Sequence, residues 1–134
     1  MSSPHLSSFS YADPRDGHVK VWGLEIWICN DPEQNYCGKL IELVRGAQCS
    51  LHFHRNKHET FYVLSGIVRF ELGDVVRILR AGDIVVVPRE VKHRFGGLMD
   101  STIIEISDHH DENDSYRDPG ELSRFNPDLL GIPE

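Results

Sequence analysis

An all-β barrel or sandwich is the fold class this sequence predicts, on three observations. Short apolar runs enriched in Val, Ile, Phe, Tyr and Trp recur along the chain, and Gly and Pro punctuate them at short, even intervals. No segment sustains a helical i, i+3, i+4 stripe for three turns. The length of 134 residues suits a single core. There is no internal repeat at a period of about 20 to 50 residues.

In chain order, residues 1–18 are rich in Ser, Pro, Asp and Gly and predict an N-terminal arm without strong structure of its own. The barrel is expected over 19–107, with strands at 22–30, 37–45, 50–54, 60–64, 67–72, 75–79, 84–87 and 102–107. Gly66, Gly73 with Asp74, Gly82 with Asp83, and Pro88 mark the turns. Gly66 and Gly82 read as turn glycines at positive φ with no chemical role. Residues 108–134 are polar and proline-containing: an acidic tail expected to wrap on or near the barrel mouth, with room for one helical turn.

Charge sharpens this division. The chain carries 14 basic and 21 acidic residues, a formal charge of −7. From Glu105 to Glu134 there are nine acids against Arg117 and Arg124, so the last stretch holds all of the net charge. A neutral body without a basic footprint argues against nucleic acid as a partner, although single cations could hold a small phosphorylated ligand. The three cysteines, Cys29, Cys37 and Cys49, cannot all pair within one chain and show no CxxC spacing, which fits a reducing cytoplasm. Cys49 shares parity with Leu51 and is expected to pack rather than react. No apolar run approaches the roughly 20 residues of a membrane span. The opening MSSPHLSSFS lacks the basic flank and apolar stretch of a signal peptide, so no membrane partner is expected.

The chemistry concentrates between Gly46 and Gly66. His52 and His54 are two apart, so on a strand both imidazoles project from one face while Leu51 and Phe53 take the other. If the chain reverses over residues 55–58, Glu59 opens an antiparallel partner strand and aims its carboxylate into the same pocket. Two imidazoles and a carboxylate suit a borderline divalent cation with positions left open. His93, beyond the buried run Ile84–Val87 and Pro88, is the candidate fourth ligand.

Gly46, His52, His54, Glu59 and Gly66 fill every position of G-x5-H-x-H-x4-E-x6-G, which resembles the first cupin motif. Gly82, Pro88 and His93 resemble the second, with Glu90 and Gly97 standing where that motif has glycine and asparagine. The resemblance covers roughly residues 22–107 and implies a cupin double-stranded β-helix, or jelly-roll barrel. It implies one divalent metal ion per chain held by His52, His54, Glu59 and His93, with Mn2+ favoured and Fe2+, Zn2+, Co2+ or Ni2+ as alternatives. WGLEIWICN, YCGKLIELVRGAQCSLHFHRNKHETFYVLSG and IIEISDHHDENDSYR are in turn similar to the single-domain cupins grouped with D-lyxose isomerase and related sugar isomerases.

That resemblance implies a small carbohydrate substrate and an aldose–ketose interconversion through a cis-enediol. Glu105, sharing parity with Ile103 and Ser107, would be the general base, or else a solvent-facing strand residue. Lys57 would donate to a substrate hydroxyl or to the enediolate, or else sit solvated in its turn. His58 would shuttle a proton or be exposed. His109, His110 and Asp111 would bind sugar hydroxyls at the mouth, with Tyr116 as a planar wall and Arg117 as an anion fork. Trp22, Trp27 and Tyr36 would pack across a homodimer interface. Two other readings use the same ligands: a non-haem Fe(II) dioxygenase, and a cupin that binds a sugar or effector without turnover.

Overall fold

A computed structural model describes residues 17–118 and 123–130. Among the described residues eleven strands run in order: β1 Gly17–Lys20, β2 Gly23–Asp31, β3 Tyr36–Leu43, β4 His52–Phe53, β5 Glu59–Ser65, β6 Ile67–Leu72, β7 Val75–Arg80, β8 Ile84–Val87, β9 His93–Gly97, β10 Ser101–Ser107 and β11 Tyr116–Arg117. A 3-10 turn covers Glu112–Asp114, and a single helical turn, α1, covers Pro127–Leu130. The strands form two sheets, β1-β2-β3-β10-β5-β8 and β11-β4-β9-β6-β7, with antiparallel pairing within each. This is the all-β jelly-roll arrangement expected from the sequence, two sheets packed over one core.

Alternation along the strands decides which side chains enter the barrel. On β3, Cys37, Lys39, Ile41 and Leu43 are buried; on β10, Ser101, Ile103 and Glu105; on β5, Glu59, Phe61 and Val63. Register aligns Ile41, Ile103 and Val63 across the large sheet, and one step further along it aligns Lys39, Glu105 and Phe61. In the small sheet, Val68 faces Gly97, Phe70 faces Phe95, and His93 lies between Leu72 and His52. Each inner face therefore passes from apolar to polar along its strands. The core of Ile41, Val63, Val68, Phe70, Phe95 and Ile103 fills one end, and the charged and imidazole side chains meet at the other.

Three strands lie outside the expected eight. β1 includes residues 17 and 18, which the sequence assigned to the arm; residues 1–16 lie outside the described residues. β9 reads HRFGG, and its two glycines and two basic residues mask the strand pattern. β11 pairs with β4 from within the acidic tail, which rejoins the body again where Phe125 N donates to Gly46 O and Gln48 N to Ser123 O. The expected β4–β5 hairpin is also corrected. β5 pairs with β10 and β8, so residues 54–58 carry the chain from the small sheet to the large one, and Glu59 faces the histidines from across the barrel.

Candidate metal centre

His52 and His93 are direct cross-strand partners on β4 and β9, and His54 projects from the same face two residues on. One ligand-type atom from each of the three lies within 4.8 Å of the others. Each ring is fixed by a second nitrogen. His52 Nδ1–H donates to Ser50 O at 2.6 Å, His93 Nδ1–H to Val91 O at 3.0 Å, and His54 Nδ1–H to Asp114 O at 2.9 Å. A carbonyl can only accept, so all three imidazoles keep their Nε2 lone pairs free, as ligating histidines anchored by an outer layer of hydrogen bonds do.

Glu59, 1% exposed, completes the group from the large sheet. Its Oε2 lies 3.0 Å from His93 Nε2 and its Oε1 3.5 Å from His54 Nε2. Neither Glu59 oxygen nor His93 Nε2 makes a hydrogen bond. Lys57 Nζ approaches Glu59 Oε1 at 2.9 Å, an ion pair without hydrogen-bond geometry. Buried acceptors converging on each other without donors are costly unless a cation lies between them. The residues thus fit a divalent ion held by three Nε2 atoms and one carboxylate. Burial, then the neighbouring His93, lowers the His52 pKa to about 3, keeping that ring neutral and able to ligate. Burial works against ionisation of Glu59, but the Lys57 ammonium beside it holds the carboxyl below its usual range.

Beside this group lies a cavity of about 470 Å³, within the range of small-molecule sites. Glu105 lines it, 4% exposed and pointing inward. Its Oε2 accepts from Lys57 Nζ at 3.1 Å and from Ser107 Oγ at 2.8 Å. Lys57 is 2% exposed, not a solvated turn residue. Burial alone would lower its pKa, but Glu105 and Glu59 raise it, so it is an ammonium. It also donates to His110 Nδ1 at 2.9 Å, leaving His110 Nε2–H to donate to Glu112 Oε1 at 3.0 Å. Arg117 lines the mouth.

The remaining expected substrate residues are not brought to the cavity. His109 does not line the cavity, and its amide donates to Asn35 Oδ1. Asp111 caps the 3-10 turn by accepting from Asn113 N. Tyr116 stacks on Phe53 with centroids 5.0 Å apart and lies under Arg55. Trp22, expected at an interface, is turned inward at 7% exposure and meets Phe95 edge-on. Cys49 is buried as expected, and burial pushes its thiol up to about 12.

Sequence reasoning missed a second charged pair in the cavity. Lys39 Nζ lies 2.7 Å from Glu25 Oε1, which also accepts from Trp27 Nε1 at 2.7 Å. The signal was present: Lys39 shares parity with Cys37, Ile41 and Leu43, so a charged side chain occupies an inward position. Asp114, 5% exposed, was also missed; its partners lie 58 to 60 residues away, and no local pattern marks it.

Comparison with known proteins bears on these features. The family model described as Cupin domain matches residues 39–104. A stretch of 50 residues is 38% identical to Protein SchB of Streptomyces halstedii and spans 37% of this chain but only 36% of SchB. KdgF from Halomonas sp. is similar at 24% identity and TM-score 0.62, over 67% of this chain and 81% of KdgF. Oxalate decarboxylase from Bacillus subtilis is similar at 20% identity and TM-score 0.69, over 81% of this chain and 31% of that one. An RmlC-like cupin from Shewanella frigidimarina NCIMB 400 is similar at 20% identity and TM-score 0.66, over 79% of this chain and 96% of that one. At these identities the solved structures speak for the fold. Matched strands, a jelly roll of two antiparallel sheets and a histidine cluster inside it make this chain a member of the cupin superfamily.

Proposed function

We propose that this cupin is a metal-dependent enzyme acting on a small carbohydrate, interconverting its aldose and ketose forms. The observation that carries the reading is the buried Lys57–Glu105 pair facing the cavity, with Lys57 also 2.9 Å from the proposed ligand Glu59. A divalent ion held by His52, His54, Glu59 and His93 supplies Lewis-acid polarisation of the substrate carbonyl. Mn2+ is favoured; Bacillus subtilis oxalate decarboxylase, which shares the fold, has Mn(II) centres.

Within that pocket the Glu105 carboxylate removes the proton on the carbon next to the carbonyl and returns it to the neighbouring carbon, with a cis-enediol between the two transfers. The Ser107 hydroxyl fixes Glu105 during both steps. The Lys57 ammonium gives a proton to the carbonyl oxygen as charge develops there and takes one back from the neighbouring hydroxyl as the second carbonyl forms, a preorganised donor in a desolvated site. Glu25, Lys39, His110 and Arg117 offer donors and acceptors to sugar hydroxyls.

Incubating Mn(II)-loaded protein with pentoses, hexoses and their phosphates in deuterated water tests this. Ketose formation with deuterium at C1 and no oxygen uptake is expected, falling at least 100-fold in Glu105→Gln. Turnover that consumes oxygen would point to the dioxygenase class, and binding without turnover to a sensing module; either result overturns the isomerase reading.

A homodimer is also proposed. On the outer face of the large sheet, Ile26, Leu40, Ile104, Tyr62 and Ile84 align across five strands, and Ile84 and Ile106 are 62% and 63% exposed. An apolar row of this length marks a protein-binding surface, and a second copy would cover it by two-fold symmetry. Sedimentation should show a dimer that Ile84→Glu with Ile106→Glu converts to monomer; a monomeric parent protein would overturn the proposal. The unpaired Cys29, Cys37 and Cys49 support placing the protein in a reducing cytoplasm.

A further inference from the structure

The three histidines are not held alike. His52 and His93 each anchor Nδ1 to the carbonyl two residues earlier, so their ring orientations are set within their own segments. His54 takes its anchor from Asp114, 60 residues away in the acidic tail. Asp114 also reaches the backbone beyond that ring. Its Oδ1 accepts from Arg55 N and its Oδ2 from Asn56 N, both at 3.0 Å, so one residue grips the imidazole with its carbonyl and the following turn with its carboxylate.

The surrounding contacts place Asp114 with precision. It ends the 3-10 turn capped by Asp111, and β11 follows at once, with Arg117 opposite His52 and Tyr116 opposite Phe53. Phe53 stacks on Tyr116, Arg55 lies 4.6 Å from the centroid of the same ring, and Asp118 N donates to Leu51 O. The segment from Asp111 to Asp118 therefore runs alongside the one that carries two of the histidines. Burying a carboxylate at 5% exposure is expensive. Here the cost is met by two amides of the turn that leads from His54 to Glu59.

We propose that Asp114 is a positioning residue of the metal centre: it fixes the tautomer and direction of His54 and the path of the turn between His54 and Glu59. The inference rests on the reading of His52, His54, Glu59 and His93 as ligands. When the Asp114 side chain is removed, the turn amides of Arg55 and Asn56 lose both acceptors, and the residue 114 carbonyl that orients His54 loses the carboxylate ties that hold it in place. Outer-layer partners of this kind are typically worth 10- to 100-fold in metal affinity.

The test measures the Kd of Mn(II) alone on the full chain by titration, together with the Mn(II) EPR spectrum and the urea midpoint of the metal-free protein. Asp114→Ala should weaken Kd about 10- to 100-fold and alter the EPR fine structure. Asp114→Asn, which keeps one side-chain acceptor, should recover part of the affinity. A merely structural role would lower the metal-free urea midpoint while leaving Kd and spectrum unchanged. If Asp114→Ala does not fold, Asp114→Asn decides: a Kd within twofold of the parent overturns the role. Binding by the parent, loss of binding in His93→Ala and an unchanged Kd in Asp114→Ala would overturn this inference alone. Absence of binding by the parent would overturn the metal centre, and this role with it.

Discussion

Glu90 holds φ at +67°, a left-handed conformation that an L side chain adopts at a cost of roughly 1–2 kcal/mol. It stands where the second cupin motif has glycine, so the departure seen in the sequence is a backbone demand met by an unsuitable residue. Its amide donates to His54 O at 2.7 Å, which keeps the strained turn against the ligand segment. Glu90→Gly should therefore stabilise the protein by roughly 0.5–1 kcal/mol, after allowing for the extra freedom of glycine in the unfolded chain. Thermal denaturation checks this, and no gain in midpoint would count against the strain. Among the site residues, His52 and His54 were legible because a spacing of two puts both rings on one strand face, whereas Glu59 was picked out by its motif spacing although it reaches the site from the opposite sheet. Lys57 was a candidate donor, but its burial was not legible, since that depends on Glu105 and His110, 48 and 53 residues further along the chain.

At the scale of elements, the eight apolar runs predicted their strands, because alternation over four or more residues is a strong signal. β9 escaped because its pairing needs glycine where a side chain would help a sequence reader. A Cβ at Gly97 would stand 2.8 Å from Met99 O and 2.9 Å from Val44 O, leaving no space between backbones. This also explains why glycine replaces the asparagine of the second motif here. Gly97→Ala should lower stability by about 1–3 kcal/mol, read as a shift in urea midpoint at unchanged slope. A similar argument fits Gly66, whose φ is +90° and whose added Cβ would meet Ser101 Oγ at 2.2 Å. The turn glycine was expected; the hydroxyl packed against it, accepting from Ile67 N, was not. The crossing of residues 54–58 between sheets was illegible for a different reason. A short turn between two strands looks the same whether it closes a hairpin or spans a barrel.

For the whole molecule, acid should act in part through His110. Burial, then the Lys57 ammonium, lowers its pKa to about 4 from an ordinary 6.5, with Lys39 adding to this and Glu112 and Glu105 opposing it. Between those values the unfolded chain binds a proton that the folded one refuses, so native stability falls as pH drops from 6.5 towards 4. The His110 share should cost the metal-free protein roughly 3 kcal/mol, and His110→Asn should make the fall shallower without abolishing it, because burial lowers the His52 and His54 pKa values as well; urea midpoints at pH 7, 5.5 and 4.5 measure it. The opposed ends of the barrel carry a further consequence. Ile41, Ile103 and Val63 occupy the inner face at one end, while Lys39, Glu105, Glu59 and the histidines occupy the other. Selection can therefore rewrite the chemical end, exchanging a ligand or a charged pair, with little change to the layer that keeps the fold. The same separation gives an engineer two nearly independent regions, one for tolerance to heat and one for new substrates.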